Sequence, residues 1–257
     1  MPGPSAKHGE DKPKPRRNEG QIMPVSSPRV PLTIAIDGPA AAGKSSVAKA
    51  VASRLGFTYV DTGAMYRALT LKALESGIAP HDGPSLGELA AQTELRFVPP
   101  PREGLPQEVW LDGRDRTRDI RTQAVDAAVS AVSSHPVVRE WFKGIQRGLG
   151  RSGGVVMEGR DIGTVVLPNA DVKLFLDGSF ERRVSRRYLE FRHRGLGTDE
   201  DLVKGDLARR DHLDATRKTA PLKAAADAIY VDTTDKSLAE VVEEVVQLCL
   251  GRMGERP

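Results

Sequence analysis

Residues 38–45 read Gly-Pro-Ala-Ala-Ala-Gly-Lys-Ser, directly behind the apolar run Leu32–Ile36 and ahead of a helical pattern. This is G-x-x-x-x-G-K-[ST] between a strand and a helix, the context that separates a phosphate-cradling loop from a chance match. Its glycines let the backbone wrap until its N–H groups face a β-phosphate, and the following helix presents its positive end. Lys44 then spans the β- and γ-phosphates and the Ser45 hydroxyl sits on Mg²⁺. Such a loop constrains the fold to a parallel α/β sheet and the ligand to a nucleoside triphosphate.

The remaining pattern agrees. Apolar runs at Leu32–Ile36, Phe57–Val60, Val155–Met157, Val172–Leu176 and Ala228–Val231 alternate with helical periodicity over 46–55, 64–75 and a last helix opened by Ser237 and Glu240 at capping-box spacing. Alternation of this kind gives a parallel sheet with helices on both faces. Two stretches break the rhythm. Residues 94–118 read as a small antiparallel unit, with Asp112-Gly113 as its hairpin turn, followed by a helical hairpin over 122–134 and from Pro136 on. Residues 179–217 are crowded with arginines, among them Arg182, Arg183, Arg186, Arg187, Arg209, Arg210 and Arg217. Such a run is ordinarily a solvated helix face; arginines on a flap over a phosphate loop are the specific alternative.

Composition narrows the classes. No apolar run reaches membrane-span length. The lone cysteine, Cys249, sits in an apolar helical pattern, so no intrachain disulfide forms and a reducing cytoplasm is expected. Residues 1–29 begin with a stretch, Met1 to Gln21, that lacks Val, Ile, Leu and aromatic residues, and they are expected to form a disordered basic tail. The net charge of only +3, with 5% aromatic residues, argues against a nucleic-acid-binding protein built on stacking platforms.

A phosphate loop alone leaves transporter ATPases, GTPases, helicases and small-molecule kinases open; the G-protein base-reading pattern N-K-x-D is absent. Three further groups narrow the choice. Asp61-Thr62-Gly63-Ala64-Met65-Tyr66-Arg67 follows the second strand, where Arg67 can fork onto an acceptor phosphate. Glu158-Gly159-Arg160-Asp161 ends a central strand, the place where an acid holds Mg²⁺ or its water shell in phosphate-loop proteins. Arg210, Asp214 and Arg217 share one side of a helix, a weak signal alone.

Together, the ordered motifs I-D-G-P-A-A-A-G-K-S-S, D-T-G-A-M-Y-R, I-R-T-Q-A-V, E-G-R-D-I-G-T-V-V-L-P-N-A and R-D-x-x-D-x-T-R-x-x-A-P-L make the chain resemble the bacterial-type cytidylate kinases, nucleoside monophosphate kinases with a P-loop. The resemblance spans about residues 30–250 and implies a P-loop NTPase-type α/β fold. Its core would comprise 30–75, 150–178 and 218–250, with a monophosphate-binding insert over about 76–149 and a lid over about 179–217; residues 251–257 would be a C-terminal tail. It implies MgATP as donor and CMP or dCMP as acceptor. Gly38, Pro39, Ala40, Ala41, Ala42, Gly43, Lys44, Ser45 and Ser46 would hold ATP, and Ser45 and Glu158 the metal. Thr62 and Arg67 would line the CMP pocket, with Arg67, Arg160 and Arg217 on its phosphate. Ser130, Arg139 and Asp161 would read the cytosine, and Asp214 would hold the sugar hydroxyls. Among the lid arginines, Arg183, Arg187 and Arg210 are those expected to reach the transferred phosphoryl group beside Lys44. The expected assembly is a monomer. The rival readings are a kinase for another nucleotide or a coenzyme-A precursor, and an RNA-binding protein using its basic lid and tail.

Overall fold

The computed structural model describes Gly3 and residues 31–98, 107–195, 197 and 199–254. The expected basic tail lies outside the described residues except for Gly3.

Five parallel strands form the central sheet: β1 (Thr33–Asp37), β2 (Thr58–Asp61), β6 (Val155–Gly159), β7 (Val172–Asp177) and β8 (Ile229–Asp232), in the order β2-β6-β1-β7-β8. Each of the five sits at its expected apolar run, shifted or extended by a residue or two. Alternation along the strands builds the two faces. Ile34, Ile36, Val156, Leu174 and Leu176 pack under α1 (Lys44–Leu55) and α8 (Leu238–Gly254). Ala35, Val155 and Met157 face the other way, onto α2 (Thr62–Glu75), α3 (Gly83–Ala91) and α5 (Pro136–Gly150). Cys249 is buried in the first of these layers, as its apolar setting implied.

The stretch expected as one insert over 76–149 is divided by the structure. Leu86 on α3 and Val138 and Phe142 on α5 join the same apolar cluster as the sheet residues, so both helices cover the core. The antiparallel sheet β3 (Leu95–Val98), β4 (Glu108–Leu111) and β5 (Arg114–Asp115) builds a separate cluster on α2 with Ile120 and Val125, whereas Val129 and Val132 of α4 (Gln123–Val132) join the core cluster. Its Asp112-Gly113 turn has positive φ at both positions, 49° and 77°, the geometry the dipeptide signalled. Two helices make the arginine-rich segment, α6 (Phe180–His193) and α7 (Glu200–Thr216). At the far end α8 continues to Gly254, so the expected C-terminal tail is helical for its first four residues, 251–254.

One element was not foreseen: a π-helical turn over Ile162–Val166, directly behind β6. Its cause is Asp37 at the end of β1. The buried Asp37 carboxylate accepts the amides of Ile162 at 2.8 Å and Gly163 at 2.7 Å, holding the widened turn against the sheet. Burial pushes the Asp37 carboxyl up to about 6, against the lowering effect of those two amides.

Among the described glycines, Gly38 is the most tightly enclosed. Its φ is +150°, and a Cβ there would lie 1.9 Å from the carbonyl oxygen of Leu176 on β7. Neither β7 nor the loop can retreat without opening the sheet. Gly38→Ala is therefore expected to lower the unfolding free energy by well over ~1 kcal/mol; chemical denaturation checks this, and an unchanged midpoint would contradict it.

Candidate active site

At the carboxyl ends of β1, β2, β6 and β8 lies one cleft of about 560 Å³, where open parallel sheets place their ligands. Ala40 to Ser46, Asp61, Thr62, Tyr66 and Arg67 line it. So do Ser130, Ser133, Arg139, Glu158, Arg160, Asp161, Arg187, Arg210, Asp214 and Arg217.

Its donor end is the loop behind β1. Gly43, with φ 87°, precedes α1 without any side-chain cap, so the first amides of the helix face the cleft. Ala41, a non-glycine, holds φ 60° within the loop. The sequence offered no sign of that strain, which the surrounding packing sustains. Lys44 is buried, and its Nζ donates to the Pro39 carbonyl at 2.6 Å. Burial and the neighbouring Arg160 lower its ammonium to about 7, although Glu158, Asp37 and Asp214 pull the other way.

Glu158 closes β6 opposite Asp61 on β2. Burial, then repulsion from Asp61, raises its carboxyl, while Lys44, Ser45 and Tyr59 stabilise the charge. The Tyr59 hydroxyl donates to Glu158 Oε1, and Thr62 Oγ1 donates to the Glu158 carbonyl at 2.7 Å. Among the described residues no group of three or more His, Cys, Asp or Glu side chains could hold a metal. A buried carboxylate hydrogen-bonded to the Ser45 hydroxyl at the head of α1 does suit a cation that keeps waters and takes its other ligands from phosphates, as Mg²⁺ does.

The opposite end is a smaller polar pocket. Arg139 on α5 donates to Asp161 Oδ2 at 2.5 Å and to the Ser133 carbonyl at 3.2 Å, and its guanidinium lies 5.5 Å from the Tyr66 ring centroid. Arg217 approaches Asp161 Oδ1 at 3.5 Å. Asp161 thus has one oxygen firmly occupied and the other loosely held. Ser130 lines the same wall. Tyr66 falls inside the motif D-T-G-A-M-Y-R with no role of its own assigned to it, and Ser133, just past α4, belongs to none of the motifs.

Between the two ends stand the arginines. Arg160 donates to Asp214 Oδ2 at 2.8 Å, and Asp214 holds the Arg160 guanidinium charged despite its burial. Arg67 and Arg187 both bond Asp126, at 2.5 and 2.7 Å. Arg210 is pushed down to about 10, chiefly by burial and then by Arg67 and Arg160. Of the three lid arginines expected at the transferred group, Arg187 and Arg210 line the cleft and Arg183 does not. Arg183 is bound instead to Asp211 at 2.5 Å and to the carbonyls of Ala40 and Gly178, bracing the lid against the phosphate loop. Arg186, one position from that face, lines the cleft beside Thr233.

The fold and this cleft define a P-loop phosphotransferase of the α/β class, with an anion-binding loop at one end and a polar pocket at the other. A family model described as Cytidylate kinase matches residues 34–250, and the chain belongs to that family. A protein named Cytidylate kinase from Geobacillus kaustophilus (strain HTA426) is 51% identical over 223 residues, which is 87% of this chain and 98% of the relative. One of the same name from Shouchella clausii (strain KSM-K16) is 52% identical over 217 residues, 84% of this chain and 95% of the relative. Among the described residues no helix is long and apolar enough to cross a membrane.

The depressed Lys44 ammonium has a consequence for stability. Between about pH 7 and its unfolded value of 10.5 the unfolded chain binds the proton that the native state has lost. This contribution therefore raises stability as pH climbs through that window. Lys44→Met removes it. The expected result is a higher melting temperature for Lys44→Met than for the parent at pH 6, in a gap that narrows toward pH 10. Parallel pH profiles would contradict the assignment.

Proposed function

We propose that this chain transfers the γ-phosphoryl group of MgATP to CMP or dCMP, giving ADP and CDP or dCDP. The observation that carries the reading is the continuity of the cleft: a phosphate loop and a polar pocket face each other across a layer of arginines. Membership of the cytidylate kinase family supports the choice of acceptor.

In this reading Gly38 to Ser46 cradle the ATP phosphates, with backbone amides and Lys44 placed on the β- and γ-groups. Ser45 and Glu158 would hold the metal, which would supply positive charge to the donor phosphates. A phosphate in the loop would favour the charged form of Lys44, against the burial that lowers it.

The acceptor phosphate settles on Arg67, Arg160 and Arg217. It already carries an anionic oxygen near neutral pH, so no general base is required. The residues' task is to align two polyanions and neutralise the charge developing between them. Arg187 and Arg210 face that charge; Arg183 acts from behind by holding the lid to the loop. With α6 and α7 closed over the donor, water is kept from the γ-phosphoryl group.

Thr62 lines the acceptor pocket, and Asp214 takes the sugar hydroxyls. Cytosine is read by its donor and acceptor pattern: Asp161 accepts from the exocyclic amino group while Arg139 and Ser130 donate to the ring acceptors. Uracil would turn a carbonyl toward Asp161 and leave a buried carboxylate unpaired, at a cost of about 1–3 kcal/mol. The cleft is complete within one chain and Cys249 is a buried free thiol. Both suit a monomer working in a reducing cytoplasm.

Initial rates with CMP, dCMP, UMP, AMP and dephospho-coenzyme A test the reading. Rates are expected to be best on CMP or dCMP. Asp161→Ala is expected to erode the preference for CMP over UMP by roughly one order of magnitude, the equivalent of the ~1–3 kcal/mol mismatch. A best rate on another acceptor would overturn the reading, and unchanged relative rates in Asp161→Ala would remove that residue from base recognition.

A further inference from the structure

Asp126 belongs to none of the motifs and does not line the cleft, yet it is the point on which the cleft's arginines converge. From α4 its Oδ1 takes Arg67 Nη1 of α2 at 2.5 Å, and its Oδ2 takes Arg187 Nη2 of α6 at 2.7 Å. Arg210 Nη1 of α7 stands 3.7 Å from Oδ1. Arg187 and Arg210 border the cleft on one side. On the other they border a recess of only about 30 Å³, to which Asp126 belongs. The carboxylate thus holds the guanidiniums from behind the cleft wall; Glu190, which does line the cleft, takes the other terminal nitrogen of Arg187 at 2.7 Å.

The geometry points to Asp126 as a positioning residue that couples acceptor binding to lid closure. Its carboxylate joins the acceptor-side Arg67 to the lid arginines Arg187 and Arg210, so a phosphate settling on Arg67 brings the lid pair into register over the donor. The inference rests on the kinase reading above and adds to it the link between the two substrate sites.

Charge supports the same picture. Burial alone would raise the Asp126 carboxyl, but Arg67, Arg187 and Arg210 outweigh it and hold it below the usual carboxylate range. Asp126 bonds Arg67 and Arg187 closely, and Glu190 also takes Arg187, but Arg210 stands 3.7 Å off and, among the described residues, its buried Nε has no hydrogen-bond partner. The cluster is therefore assembled yet still short of negative charge, which is the condition in which incoming phosphate tightens it. A second link lies nearby: Arg194, just past the end of α6, donates to the Arg121 carbonyl just ahead of α4.

Coupling between sites is a ratio of affinities and is reciprocal. The test is calorimetric titration of CMP into the full chain, with and without a non-hydrolysable ATP analogue and Mg²⁺, for the parent, Asp126→Asn and Asp126→Ala. In the parent the analogue is expected to tighten CMP by about 5-fold or more, the ordinary range of linked sites. In both variants that factor is expected to fall below about 2-fold, outside that range. A purely structural role would weaken both ligands and leave their ratio standing. Asp126→Asn keeps the side chain's shape, and a melt on each variant verifies the fold, so it carries the test should Asp126→Ala not fold. Parental coupling retained in the folded variants, or no coupling in the parent, would overturn the inference. A parent that takes up no CMP at all would overturn the kinase reading beneath it.

Discussion

Four guanidiniums, those of Arg67, Arg160, Arg187 and Arg210, are gathered at one cleft and held by three carboxylates, Asp126, Asp214 and Glu190, with Arg210 no closer than 3.7 Å to Asp126. Leaving cationic charge uncompensated away from water is costly unless a partner arrives. The surrounding fold bears that cost: α2, α4, α6 and α7 each bring at least one member of the cluster, and each is anchored by apolar contacts elsewhere. The site therefore resembles a lock under tension. An anion arriving in it completes hydrogen bonds that the empty protein cannot complete for itself, most plainly around the Nε of Arg210.

The same logic operates at the donor end with a different residue. Lys44 is enclosed where its charge is disfavoured, and only carboxylates and the Pro39 carbonyl offset that burial. Asp37 connects this end to the other. It closes β1 immediately before the phosphate loop, and it also fixes the π-turn that begins one residue after Asp161. A single buried side chain thus sets the distance between the triphosphate loop and the pocket proposed to read the acceptor base. Displacing one end of the cleft without the other would require breaking those two hydrogen bonds from backbone amides.

How much of this was legible beforehand depended on sequence distance. The five parallel strands show because buried strands are short apolar runs, and the phosphate loop shows because its glycines, lysine and serine must fall at fixed spacing. Arg139 and Ser130 were reachable only through resemblance; on the helices that carry them nothing but amphipathic spacing is visible. Asp126 escaped notice for the same reason. It sits among Val125 and Val129 as a polar residue on a helix should, and its arginine partners lie 59 and 61 residues away. The choice among the lid arginines failed to separate Arg183 from Arg187 because the two are one helical turn apart. Which of them turns to the loop and which to the cleft depends on how α6 rotates against Ala40 and Leu207, a tertiary fact. The division into core and insert blurred likewise, since the apolar faces of α3 and α5 do not announce which sheet they cover.

In the proposed reaction two nucleotides meet phosphate to phosphate across this arginine layer. Phosphorus NMR of the protein with MgATP and CMP follows both nucleotides in one sample. The β-phosphorus signal of CDP is expected to grow as the γ-signal of ATP declines, with no matching growth of inorganic phosphate. Loss of ATP to inorganic phosphate, or an unchanged spectrum, would contradict it.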